Sequence, residues 1–367
     1  MNVFNLRNSL IQDYSDYITS FIRIRNPRIL EYVNQSIDSG LLWPDPLIQL
    51  NPFFEPGLWI DDLVDQGVLH KECKQIFRRK QSQEDSGERL RLHKHQEDAV
   101  RTARAGHNYI LTTGTGSGKS LAYIIPIVDH ILRNGSGKGI KAIIVYPMNA
   151  LANSQQGELQ KYLQFGYPEG HPPVTVERYT GQESDQDKNR IIANPPDILL
   201  TNYVMLELIM TRPREQKLIE AAKGLRFLVL DELHTYRGRQ GADVALLVRR
   251  VRETLEARSL QCVGTSATLA GAGSLEQQRR EIAAVASVIF GDTFHAENVV
   301  GETLRRATEE HNPADVGFIT ALTGSIRDLC LPETYEELIR HPLASWIESH
   351  LGLNTDRESG RLIRAVP

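Results

Sequence analysis

One stretch constrains this chain more than any other: Leu111-Thr-Thr-Gly-Thr-Gly-Ser-Gly-Lys-Ser120. The apolar run Tyr109, Ile110 and Leu111 predicts a strand, and Lys119-Ser120 opens an apolar helical pattern over 119–133. Between them lies a glycine-rich turn. A strand, such a turn and a helix start, in that order, make a phosphate-binding P-loop. The glycines let the backbone curl until successive N–H groups aim at one anion, and the helix adds its positive end. Lys119 then reaches the β- and γ-phosphates and Ser120 holds Mg²⁺. The cradle runs through Thr113, Gly114, Thr115, Gly116, Ser117, Gly118, Lys119 and Ser120, with Thr113 where the strict motif has its first glycine. A flexible linker would account for the glycines but not for a Lys-Ser pair at a helix start.

A second segment, Phe227-Leu-Val-Leu-Asp-Glu-Leu-His234, is an apolar strand running into two carboxylates and a histidine. That is the Walker B pattern: Asp231 serves the metal and Glu232 activates the attacking water. Adjacent buried carboxylates are costly unless a cation or hydrogen-bond donors compensate them. A solvated acidic turn at a strand end is a common alternative for such a segment alone. It does not suit one that follows a P-loop within an α/β unit.

Taken together, Gln96 in Leu92-His-Lys-His-Gln96, the P-loop, Asp231-Glu-Leu-His234 and Ser266-Ala-Thr268 stand in the order seen in superfamily 2 helicases of the DEAD/DEAH-box type, which the chain resembles over about residues 90–270. Tyr146-Pro-Met-Asn-Ala-Leu151, Thr180-Gly181 and Thr201-Asn202 fall where that family places its nucleic-acid motifs. Tyr236-Arg-Gly238 and Asn149-Ala-Leu151 look like the branch of bacterial helicases that includes the MrfA/YprA-like proteins. The resemblance implies that Gln96 reads the adenine edge. It implies that Lys119, Asp231, Glu232 and His234 form the catalytic set, with His234 relaying between nucleotide and nucleic acid. Ser266 and Thr268 become the hydroxyl pair coupling ATP state to strand movement. Pro147, Asn149, Thr180, Gly181, Thr201 and Asn202 meet the sugar–phosphate backbone, where short polar groups and amides carry no sequence information. Met148 departs from the threonine of many relatives. Taken singly, Gln96 reads as a surface residue, His234 as a turn residue, and the nucleic-acid set as turns and caps.

The rest of the sequence bounds these readings. With 367 residues, 41% hydrophobic and 24% charged, the chain has ample length for a large core and suggests about two domains. A net charge of −4, from 42 basic and 46 acidic residues, neither supports nor excludes a nucleic-acid partner, since contacts can be concentrated in one cleft. Cys73, Cys262 and Cys330 are scattered, so neither a zinc site nor a disulfide framework is indicated. The start is unlike a signal peptide, no apolar run reaches membrane-span length, and cytoplasmic residence is the expectation.

The expected fold is α/β: a RecA-like parallel sheet flanked by helices, with a mainly helical N-terminal region and a helical C-terminal segment. Strands are predicted at 108–112, 142–146, 197–201, 227–231 and 261–265, alternating with helices that include 119–133 and 242–257. In such a sheet the P-loop, Asp231-Glu232 and Ser266-Ala-Thr268 converge at the strands' carboxyl ends. Residues 1–80 form the mostly helical region, in which Leu41–Pro46 makes a turn, Phe53, Phe54, Leu58, Trp59 and Ile60 pack on a neighbour, and Lys71–Lys80 is a basic solvated face. Residues 81–88 are read as a polar linker, 89–300 as helicase domain 1, and 301–367 as a helical segment leading toward an absent second lobe. By resemblance that lobe carries the arginine finger and belongs to the full-length protein or a partner chain. The expected activity is ATP- and Mg²⁺-dependent helicase or translocase action on single-stranded or duplex nucleic acid, DNA foremost, with the chain by itself weakly active or inactive. The alternative is a non-catalytic ATP- or nucleic-acid-binding module, or a truncated subunit of a larger assembly such as one in genome defence or DNA repair.

Overall fold

The computed structural model describes residues 2–21, 23–42, 50–114, 116–167, 171–266, 274–328, 332–356 and 359–365. Its centre is a seven-stranded sheet. The strands are β1 (Tyr109–Thr112), β2 (Ala142–Tyr146), β3 (Val176–Arg178), β4 (Ile198–Asn202), β5 (Phe227–Leu230), β6 (Gln261–Ser266) and β7 (Val299–Gly301). Their order across the sheet is β7-β1-β6-β5-β2-β4-β3, with every pairing parallel. Thus the expected RecA-like sheet is present. β3 and β7, the two edge strands, are additions to the five read from the sequence.

Alternation explains why the strands read as unbroken apolar runs. Tyr109, Leu111, Ile144, Tyr146, Leu200, Val229 and Val263 enter one core layer. Their neighbours Ile110, Ile143, Val145, Leu199, Leu228 and Cys262 enter the other. Both faces are therefore dry, as a sheet with helices on either side requires. The first layer is closed by α1 (Lys94–Arg104), α2 (Lys119–Asn134) and α3 (Asn149–Leu163). The second is closed by α4 (Tyr203–Thr211), α5 (Gly238–Thr254) and α6 (Leu275–Phe290). Each fully buried Ile or Leu contributes roughly 1.5–3 kcal/mol relative to exposure.

Outside the sheet, helices Val3–Ser20 and Pro27–Asp38 bury no residue. The predicted turn at 41–46 lies outside the described residues from Trp43 onward. Phe54 and Ile60 do pack inward, while Phe53 remains largely exposed. In the basic stretch, Lys74 pairs with Asp65, Arg78 pairs with Asp61, and Lys80 donates to the carbonyls of Tyr162 and Phe165. Residues 81–88 lie within a hairpin whose arms are Arg78–Arg79 and Glu88–Arg89. Gln83 in that hairpin donates to the carbonyls of Gln164 and Tyr167. Beyond residue 301, short helices at 316–328, 335–340 and 342–347 precede an antiparallel hairpin, Leu353–Thr355 with Leu362–Arg364. Among the described residues no helix is long and apolar enough to cross a membrane.

Candidate functional site

The loop after β1 has the geometry its glycines predict. Gly116 and Gly118 sit at φ 79° and 70°, a region where a side chain is strained, and Gly118 caps the N-terminus of α2. Two interactions fix the loop from within. The buried Thr113 and Ser117 hydroxyls meet at 2.6 Å, and the Ser117 carbonyl lies 2.9 Å from His95 Nε2. Burial lowers the pKa of His95, so the ring is neutral and Nε2 carries the proton it donates. Thr115 lies outside the described residues.

Gln96 is buried, with both ends of its amide engaged. Its oxygen accepts from the His93 N–H (2.8 Å) and its nitrogen donates to the Gly118 carbonyl (2.9 Å). It therefore stitches the start of α1 to the P-loop.

Lys119 and the acidic pair face each other across the ends of β1, β5 and β6. Lys119 Nζ is 3.4 Å from Glu232 Oε1 and 3.4 Å from the Ser266 carbonyl. Thr265 organises the carboxylates: its hydroxyl donates to Asp231 Oδ1 (2.6 Å) and accepts from the Glu232 N–H (3.0 Å). The sequence reading missed Thr265, because one hydroxyl inside an apolar strand looks like an ordinary β-branched residue. Burial, and then repulsion from Glu232, raises the Asp231 pKa against the Thr265 hydrogen bond. Glu232 itself adopts the left-handed conformation (φ 52°, ψ 56°), which costs a non-glycine residue on the order of 1–2 kcal/mol. Its Oε2 is buried without a hydrogen-bond donor, and His234 Nδ1 stands 3.2 Å away, an ion pair when the imidazole is protonated. His234 Nδ1 also lies 3.4 Å from the Ser266 hydroxyl. Thr268 lies outside the described residues.

These features suit a hydrated divalent cation carried by a polyphosphate. Among the described residues no group of three or more His, Cys, Asp or Glu is arranged to hold a metal ion by itself. Asp231, with Ser120 at the mouth of α2, offers the one or two oxygen ligands that Mg²⁺ takes when phosphates and water complete its shell.

The second expected group gathers at the ends of β2, β4 and β3, on the far side of β5. Asn202 is its hub. It donates to Asn149 Oδ1 (2.6 Å) and to the Thr180 carbonyl (3.1 Å), and its own oxygen caps α4 by accepting the Met205 N–H (2.7 Å). The Thr201 hydroxyl donates to the Tyr179 carbonyl (2.7 Å). Pro147 follows β2 directly, and Met148 beside it is exposed. Another residue missed in the sequence, Glu183, takes the N–H groups of Thr180 and Gly181 (2.8 Å each), the Thr180 hydroxyl (2.9 Å) and Arg178 Nε (2.8 Å). Burial raises the Glu183 pKa, but these donors outweigh it and hold the carboxyl below the usual range.

Comparison with known proteins points to the same family that the motifs suggest. Residues 93–275 match the family model described as DEAD/DEAH box helicase. The chain is similar to the Druantia protein DruE of Escherichia coli, 25% identical over 390 aligned positions that cover 74% of this chain and 20% of that protein. It is similar to the uncharacterized ATP-dependent helicase YprA of Bacillus subtilis, 30% identical over 189 positions that cover 51% of this chain and 24% of YprA. The chain thus spans about a fifth to a quarter of these relatives. In fold it resembles the crystal structure of the DUF1998 helicase MrfA bound to DNA, with a TM-score of 0.53, 23% identity, and coverage of 69% of this chain and 30% of that one. With their ordered motifs gathered at the carboxyl edge of a RecA-like sheet, residues 93–275 form a DEAD/DEAH-box helicase domain.

Proposed function

We propose that this chain is the first RecA-like lobe of an ATP-dependent helicase or translocase acting on nucleic acid, DNA foremost. The observation that carries the reading is the convergence of Lys119, Asp231, Glu232, His234 and Ser266 at the ends of three adjacent strands, with an unmatched buried carboxylate oxygen at its centre. The P-loop amides and Lys119 bind and orient the triphosphate. Asp231 and Ser120 would hold Mg²⁺, which when bound would supply positive charge against the polyphosphate. Glu232 accepts a proton from the attacking water, and its strained backbone aims the carboxylate across the cleft toward Lys119. His234 lies between Glu232 and Ser266, a position suited to passing the state of the nucleotide to the rest of the lobe.

Asn149, Asn202 and the Thr180-Gly181 turn would receive the sugar–phosphate backbone, read by shape and charge rather than by base. That YprA is an ATP-dependent helicase and that MrfA is a helicase crystallised with DNA support this reading. A second RecA-like lobe, in the same polypeptide or a partner, completes the motor and closes on the nucleotide.

Titration of the purified chain with a fluorescent ATP analogue, and with labelled single strands of two sequences at two salt concentrations, tests the proposal. We expect Mg²⁺-dependent nucleotide binding that Lys119→Ala abolishes, and strand binding that weakens with salt and ignores sequence. Absence of nucleotide binding at millimolar ATP, or marked preference for one strand sequence, would refute it.

A further inference from the structure

The P-loop is gripped from outside by a pair of residues from the far end of the chain. Glu302 follows β7, the neighbour of β1, and its Oε2 accepts the Gly114 N–H at the loop's entrance (3.2 Å). Arg364, in the last strand, closes on that carboxylate with both arms of its guanidinium: Nε to Oε1 at 2.6 Å and Nη2 to Oε2 at 3.0 Å. The remaining arm donates to Asn51 Oδ1 (2.8 Å), and the guanidinium lies 5.8 Å from the centre of the Phe54 ring. Phe54 in turn meets His95 edge-on at 5.3 Å, and His95 holds the Ser117 carbonyl. A Cβ placed on Gly114 would stand 2.9 Å from Arg364 Nη2, so a side chain there would push the guanidinium aside. The ion pair is mostly shielded from water, with 17% and 16% of the two side chains exposed.

A carboxylate bracing a phosphate cradle is an electrostatic liability. It steadies the Gly114 amide, but unpaired it would repel the polyphosphate that the cradle is built to take. Bidentate pairing with Arg364 offsets that charge, and Oε2, which accepts from Nη2 through one lone pair, keeps a second for the amide. We propose that Arg364 is a positioning residue for the phosphate loop: acting through Glu302, it keeps the loop braced without opposing the nucleotide's charge. The role rests on the nucleotide reading given above. It also makes the segment carrying Arg364 a handle on the P-loop, since any movement that withdraws the guanidinium exposes a negative charge at the mouth of the site.

Affinities of the 367-residue chain for fluorescent ATP, ADP and adenosine analogues, measured on wild type, Arg364→Gln, Glu302→Gln and the double variant, test the role. Arg364→Gln should weaken ATP about tenfold and ADP less, and leave adenosine unchanged, because repulsion grows with phosphate charge. The double variant should return to within about threefold of wild type, because the carboxylate is gone. Glu302→Gln alone should bind ATP at least as tightly as wild type. A tether that merely holds the hairpin in place predicts equal losses for all three ligands and no recovery in the double variant, and that pattern overturns the proposal. Melting curves confirm folding. If Arg364→Gln does not fold, Glu302→Gln decides, and weakened ATP binding there also overturns the role. If the wild-type chain binds none of the three ligands, the nucleotide reading itself fails and takes this role with it, an outcome distinct from normal wild-type binding with unresponsive variants.

Discussion

The two halves of the sheet's carboxyl edge are built on opposite principles. At the ends of β1, β5 and β6 the polar groups are charged, long in their contacts and partly unmatched: Lys119 reaches its partners at 3.4 Å, Glu232 sits in a left-handed backbone with a buried oxygen lacking a donor, and burial raises the Asp231 pKa. At the ends of β2, β4 and β3 they are satisfied. Asn202, Asn149, Thr180 and Glu183 close a network with distances of 2.6–3.1 Å, and Glu183 is held below its usual pKa. The first region stores free energy that a cation and a polyphosphate can release. The second is already at rest and offers shape. The proposed ATP-driven role needs both, since chemistry requires groups poised to change and tracking requires a surface that does not.

The most direct way to break this contrast is Glu232→Gln in a protein that includes the second lobe. Nucleotide binding should persist while hydrolysis falls by roughly 10²–10⁴, the usual contribution of a positioned base. A single-turnover hydrolysis assay beside a binding titration separates the two, and hydrolysis at the wild-type rate would remove Glu232 from the chemistry. On the resting side, Asn202→Ala removes the hub and the cap of α4 together, so a loss of about 1–2 kcal/mol in chemical denaturation is expected, with weakened strand binding and unchanged ATP affinity. A fall in ATP affinity of the same size would show that the regions are not separately built.

The smallest effect sharpens the contrast by sign. Because the folded-state pKa of Asp231 is raised, its protonated form is favoured by the fold, and that stability is lost as pH rises through the folded value. Asp231→Asn should therefore raise the melting temperature of the nucleotide-free chain at neutral pH by roughly 2 °C while weakening Mg²⁺-dependent binding. Glu183 has the opposite sign. Its stabilisation is present above the ordinary carboxylate range and lost as pH falls through its depressed value, so Glu183→Gln should lower the melting temperature at neutral pH. Melting curves of both variants at neutral and acidic pH check the pair of signs.

How much of this was legible in the sequence differs by region for physical reasons. The five central strands announce themselves because both faces are buried and the runs are continuously apolar, whereas Val176–Arg178 and Val299–Gly301 are three-residue edges with little pattern to detect. The P-loop and the Asp231-Glu232 pair are legible because local backbone geometry demands those residue types in sequence. Their supports are not. Thr265 hides in an apolar strand, Glu183 is one acid in a polar loop, and Glu302 meets Arg364 across 62 positions that only the fold brings together. Gln96 illustrates the converse: the motif marks the residue, but not that its amide already joins α1 to Gly118.

The order of strands across the sheet also has a consequence for how the lobe is made. β1, which leads into the phosphate cradle, is bordered by β6 and β7, and neither neighbour is synthesised until residues 261–266 and 299–301. At ribosomal rates the P-loop strand therefore spends roughly 10–40 s without its final border. Parallel pairings over such separations are slow to form, so β1 is the segment on which nascent chains of this lobe depend most for protection from premature association.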